Sequence, residues 1–353
     1  MKSSVHADVD NKTDVCSADT FGYAANIQNE SPNSIDVLAI GDSNIYRSFS
    51  PLVYWKEKKV TSYALSSPSQ AAWLSYYQLL DAVTYQNPKV LLLEVNQLFT
   101  NPKGKKERMS KSINSLKSDT VRLNAINDNS SQFTKEEKDF LYKNYVTQTF
   151  KKNRDKFMGD ETKKDKVKGD KNKKDKTKKQ KSVGFKGYIV NVTQKPLANE
   201  KKNYMDQEKT TIPVNENASL YFENIIKLCE KHNIQLVLVK FPTAEWSYGK
   251  QTTVEKYASD RKIPYLDLNT SMKYSNIDWN NDTYDGGNHL NDMGAEKTTI
   301  EIANYLEQNF NLTQTKNDKA VASYETSLQI YEKQRNLMIN TNYKKDIEEK
   351  NID

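Results

Sequence analysis

Short apolar runs and longer periodic stretches take turns along this chain. Residues 1–33 are polar without a sustained rhythm and read as a loosely ordered lead-in. SIDVLAIGDS (34–43) then carries an apolar run bounded by polar residues, the mark of a short buried strand. VTSYALS (60–66) predicts a second strand. In SQAAWLSYYQLLDAVTYQ, Trp73, Tyr76 or Tyr77, Leu80 and Val83 recur at helical spacing, which predicts an amphipathic helix. Pro88 closes that segment, and PKVLLLEVNQLF predicts another fully buried strand over 90–95.

The rhythm is lost after Thr100. Residues 101–212 are polar and rich in Lys and Asn, with one helical piece near FTKEEKDFLYKNYVTQTF. They read as a large insertion or a small helical subdomain. The core pattern resumes with a helix in ENASLYFENIIKLCEKHN and a strand in IQLVLVKF. VEKYASDRK predicts a helix and IPYLDLN a short strand. NDMGAEKTTIEIANYLEQNF predicts a helix with Ile300, Ala303, Tyr305 and Leu306 on one side. Residues 311–353 form a tail with a further helix around ASYETSLQIYEKQRNLMI. Strands alternating with helices predict a parallel sheet covered on both faces, a flavodoxin-like three-layer α/β/α fold. That domain would span 34–310, interrupted by 101–212. In such sheets, sites form beyond the C-terminal ends of the strands. Ser43 and Asn96 fall there.

Charge is concentrated in one place. The chain has 353 residues and a formal charge of +7, and residues 151–182 hold fifteen Lys and Arg against six Asp and Glu. That segment alone carries +9, leaving −2 for the rest. It has too few apolar residues to bury a core and is expected to be disordered. Stacking aromatics are scarce and Asp recurs among the lysines, so a solvated loop is expected rather than a nucleic-acid site. Two cysteines, Cys16 and Cys229, suit neither a disulfide framework nor a zinc site, and Cys229 reads as a small core residue. No apolar run of about 18 residues exists to span a membrane, and the first twenty residues lack a signal-peptide apolar region. The chain is either cytosolic or an outward-facing domain whose anchor precedes Met1.

GDS after a buried strand can be a turn or a nucleophile. A serine nucleophile needs a base, and only three histidines are present. His6 is in the lead-in, and His232 sits at a helix-to-strand turn on the opposite edge of the sheet. His289, in YDGGNHLNDMGA, is left as the partner for Ser43. Asp285 precedes it by four residues and Asp282 by seven. Either could hold the imidazole, and either could be a turn aspartate. Asn291 or Asp292 would cap the next helix. Oxyanion donors could come from the Ser43 N–H, a backbone N–H in the SSPS turn and the Asn96 amide.

These residues resemble the SGNH (GDSL-type) hydrolase family. GDSN (41–44) matches its nucleophile block, and DGGNHLN (285–291) resembles its Asp-x-x-His block with one extra residue. YALSSPSQ (63–70) stands where the family often has an oxyanion glycine and has Ser66 there. LEVNQ (93–97) matches the Gly-x-Asn-Asp block at Asn96, with Glu94 and Gln97 beside it. Residues 34–100 and 214–310 look like the branch that accompanies membrane-bound O-acyltransferases, as in alginate acetylation or teichoic acid D-alanylation. The resemblance implies a Ser43–His289–Asp285 site acting on acyl groups of an extracellular polysaccharide or wall polymer. It implies a membrane-bound O-acyltransferase as partner, an N-terminal anchor, and neither cofactor nor metal. A non-catalytic polysaccharide-binding adaptor of the same fold and a plain carbohydrate esterase are the rival readings.

Overall fold

The computed structural model describes residues 26–100, 106–157, 185–272 and 276–350. Five strands, β1 (Val37–Gly41), β2 (Ser62–Ser66), β3 (Val90–Glu94), β4 (Gln235–Lys240) and β5 (Tyr265–Asp267), make one sheet in the order β2-β1-β3-β4-β5. Every pairing is parallel. This is the doubly wound order with a switch point between β1 and β3, where the chain leaves the sheet in opposite directions.

Strand alternation sorts side chains into two cores. Leu38, Ile40, Leu91, Leu93 and Leu238 face one layer, with α3 (Ala72–Ala82), α7 (Glu216–Lys231) and α8 (Tyr248–Arg261). Val37, Ala39, Val90, Leu92, Val237 and Val239 face the other, with α1 (Ser43–Ser48), α2 (Pro51–Lys58) and α9 (Asp292–Asn309). β1 and β3 are buried at every position. Truncating one of their leucines to alanine would cost about 2–5 kcal/mol.

The predicted strands and long helices are present, with ends displaced by a few residues. Two short helices between β1 and β2 leave no periodic signature in the sequence. α1 is too short to show a period, and α2 begins at Pro51 behind Ser50, whose hydroxyl accepts from the Val53 N–H. Lys59, at φ 54°, ends α2 in the left-handed region.

Much of the polar stretch from 101 to 212 is integral to the fold. α4 (Lys106–Ser115), α5 (Asp119–Asn127) and α6 (Lys135–Phe157) extend the core over α3, where Phe133 meets Trp73 edge-on at 5.0 Å. Residues 151–157, expected in the disordered basic segment, continue α6, since Lys and Arg are good helix formers. The rest of that segment, 158–182, lies outside the described residues. Residues 185–197 then cross the edge of the sheet as a strap: the Lys186 carbonyl accepts from the Ala64 N–H, and the Ile189 N–H donates to the Tyr46 carbonyl. In the C-terminal segment, α10 (Asp318–Lys350) packs on α2, with Glu325 accepting from Trp55 Nε1 at 3.0 Å and Lys59 Nζ at 2.8 Å.

Candidate active site

The turn after β1 requires a residue without a side chain. A Cβ on Gly41 would lie 2.5 Å from Glu94 Cβ and 2.8 Å from Ile45 Cγ1. This close approach lets the chain bend at once into α1. Asp42 caps that helix by accepting from the Asn44 N–H, and Ser43 occupies its first position. The Ser43 N–H is therefore one of the first-turn donors that helix geometry leaves unpaired.

His289 arrives from the far end of the chain on the loop between β5 and α9. Its Nε2 is 2.7 Å from Ser43 Oγ. Its Nδ1 is 2.6 Å from Asp285 Oδ2, and its backbone N–H donates to Asp285 Oδ1 at 2.8 Å. The loop can return on itself because Gly286 and Gly287 adopt positive φ, +82° and +101°. At Gly287 a Cβ would also strike Leu197. Thr283 braces the loop, donating from Oγ1 to the His289 carbonyl and accepting from the Gly287 N–H. Strap residues hold its outside: Lys195 N–H donates to the Thr283 carbonyl and Leu197 N–H to the Trp279 carbonyl.

The electrostatics favour an ionised orienting carboxylate. Partial burial pushes the Asp285 carboxyl up, but hydrogen bonds from the His289 side chain and N–H outweigh it and hold the group below the usual carboxylate value. A charged Asp285 at Nδ1 keeps that nitrogen protonated and leaves Nε2 free to accept from the serine hydroxyl. The His289 and Asp285 side chains are 24% and 28% exposed, so a substrate can reach them.

Asp282, the alternative carboxylate, is turned away from His289. It is buried, pairs with Lys297 Nζ at 2.7 Å and accepts from the Asp278 N–H. The order of acidic residues on the chain could not reveal this, because the turn at 282 folds onto α9 before the loop reaches the imidazole. Asn291 caps α9, while Asp292 is buried and accepts from the Tyr188 and Tyr331 hydroxyls and from Arg335.

The oxyanion candidates differ in their surroundings. Asn96 Nδ2 donates to Asp42 Oδ2. Ser66 ends β2 in register with Gly41, and its buried hydroxyl has no hydrogen-bond partner among the described residues. Beneath the site, Glu94 Oε1 and Lys240 Nζ form an ion pair of 2.7 Å with no exposed surface on either side chain. Burial drives the Glu94 carboxyl upward, against the pull of Lys240. A layer of buried amides and hydroxyls, Ser67, Gln70, Gln78, Ser75 and Gln97, joins the ends of β2 and β3.

Three neighbours went unnoticed in the sequence. Asp42 ties the turn that carries Ser43, Tyr284 stacks on His289 with ring centroids 5.8 Å apart, and Arg47 lies over the Tyr284 ring at 4.9 Å. Arg47, four residues after Ser43 on a helix, could have been flagged once α1 was recognised.

No protein-family model and no curated protein matches the chain. Among solved structures, it is similar to one from Bacteroides fragilis described as a candidate acylhydrolase, at 11% identity and a TM-score of 0.34, over 80% of this chain and 92% of that one.

Proposed function

We propose that this chain is a serine acyl hydrolase or acyltransferase of the SGNH type. One observation carries the reading: the relay from Ser43 Oγ to His289 Nε2 and from Nδ1 to Asp285, at 2.7 and 2.6 Å, on the C-terminal edge of a parallel sheet. In this reaction Ser43 Oγ attacks an acyl carbonyl as its proton passes to His289 Nε2. Asp285 stabilises the imidazolium. The Ser43 N–H and the second Asn96 amide hydrogen receive the developing oxyanion. His289 returns the proton to the departing alkoxide, leaving the acyl group on Ser43. A second hydroxyl, from water or a sugar, is then deprotonated by His289 and takes the acyl group.

The finer reading rests on the GDSN and DGGNHLN blocks and on the branch they resemble. The acyl group is an O-acetyl, the acceptor an extracellular polysaccharide or wall polymer, and the donor a membrane-bound O-acyltransferase. The protein works at the outer face of the membrane.

The test is hydrolysis of 4-nitrophenyl acetate by the purified chain and by Ser43→Ala, with circular dichroism to confirm folding. Activity in the first and not in the second is expected. Equal rates in two folded proteins would overturn the enzyme reading and favour the adaptor. Offering an acceptor oligosaccharide then separates the two chemistries: acetyl appearing on sugar marks a transferase, and free acetate alone an esterase.

A further inference from the structure

Among the described residues, Arg47 is a cation without a paired carboxylate. It projects from α1 one turn after Ser43, so the two side chains share a helix face. Its guanidinium carbon lies 5.2 Å from the Tyr46 ring centroid and 4.9 Å from that of Tyr284. Tyr284 in turn lies nearly parallel to the His289 ring, with 20° between the planes. One aromatic ring therefore links the guanidinium to the imidazole.

Its hydrogen bonding is incomplete. Nη1 donates to the Ile189 carbonyl of the strap at a long 3.3 Å. Nε is buried and has no hydrogen-bond partner among the described residues. No carboxylate pairs with Arg47 among the described residues, although the other arginines of the folded core, Arg122, Arg261 and Arg335, each hold one. Burial raises the Tyr46 and Tyr284 phenols, while the Arg47 charge and its hydrogen bond to each pull both back down. A half-buried guanidinium costs free energy that two aromatic faces offset only in part. A planar guanidinium whose charge no carboxylate neutralises among the described residues matches a carboxylate or phosphate.

We propose that Arg47 is a specificity-determining residue that binds an anionic group of the substrate, a carboxylate or a phosphate, beside the ester attacked by Ser43. This rests on the acyl-transfer reading only for what it calls the substrate. The anion site itself can be tested without turnover.

The test uses Ser43→Ala protein, which cannot consume an ester, titrated by calorimetry. The probes are phenyl acetate, 3-acetoxybenzoate and 3-acetoxyphenyl phosphate. At least one anionic ester is expected to bind tenfold or more tightly than the neutral one, and the stronger of the two identifies the anion. Adding Arg47→Gln should erase the preference, and Arg47→Lys should retain part of it, since the charge remains and the fork is lost. No preference in Ser43→Ala, or a preference that survives Arg47→Gln, would overturn the proposal. If anionic esters bind in this way but wild-type protein turns none of them over, the enzyme reading fails and the anion site stands. If wild type hydrolyses all three with equal kcat/KM and Ser43→Ala binds all three equally, the reverse holds.

Discussion

Asn96 Nδ2 donates to Asp42 Oδ2 across 2.8 Å, joining the turn after β3 to the turn after β1. The same carboxylate accepts from the backbone and side-chain nitrogens of Asn44, at 2.9 and 3.0 Å. Asp42 therefore fixes both the start of α1 and the orientation of the Asn96 amide. Asn96→Ala should lower kcat/KM for an acetyl ester by about a hundredfold, the scale of one lost oxyanion donor. Asp42→Ala should lower it less, and the double variant should fall little below Asn96→Ala, because both act through one bond. A double-mutant cycle on kcat/KM checks this; full additivity would contradict it.

The two carboxylates of the Asp-rich loop have different work. Asp285→Asn should reduce kcat by about 10³–10⁴, since an amide at Nδ1 favours the wrong tautomer. Asp282→Asn should leave kcat within about threefold and cost about 1–3 kcal/mol of stability, from a buried acceptor lost to Lys297 and the Asp278 N–H. Steady-state kinetics and urea unfolding on both variants separate the roles.

Asp285 also constrains the pH profile. Its carboxyl is pushed up by partial burial and pulled further down by His289, so its folded-state value is depressed. A depressed acid contributes stability above its unfolded value, about 3.9, and loses it as pH falls through the lower folded value. The carboxylate thus stays charged from about pH 5 upward. The acid limb of kcat/KM should therefore show no proton taken up by Asp285 above about pH 5. Loss of Asp285→Asn-sensitive activity already above that pH would contradict the depressed carboxyl.

Under the site, Glu94 and Lys240 form an ion pair in which neither side chain has exposed surface. Glu94→Gln leaves a buried ammonium without its counter-charge and should cost about 3–5 kcal/mol. The joint replacement Glu94→Leu with Lys240→Met should cost much less than the two single changes summed. Urea denaturation midpoints decide between coupling and independence.

Cys229 sits in the α7 core, where burial pushes its thiol up to about 12. In a Cys16→Ser background, Ellman's reagent at pH 8 should find no thiol in the native protein and one per chain in guanidinium. Rapid native labelling would mean that α7 opens locally far more often than its packing implies.

The sequence by itself determines the strand and long-helix order, because apolar spacing is a local record of which faces are buried. Scarcity of histidine also leaves His289 as the candidate partner for Ser43, which the GDS turn after β1 singles out. The resemblance to SGNH hydrolases adds an order of roles that no spacing contains. Tertiary structure alone decides the rest. α1 and α2 are too short to declare a period, and Arg47 acquires a meaning only once α1 places it beside Ser43. The strap at 185–197 pairs through backbone groups, which leave no hydrophobic rhythm. Asp285 and Asp282 are the same residue type in one loop. Two positive-φ glycines fold one toward the imidazole, and an ion pair with Lys297 draws the other onto α9. Ser43 and His289 are 246 residues apart, and only closing the sheet brings them to 2.7 Å.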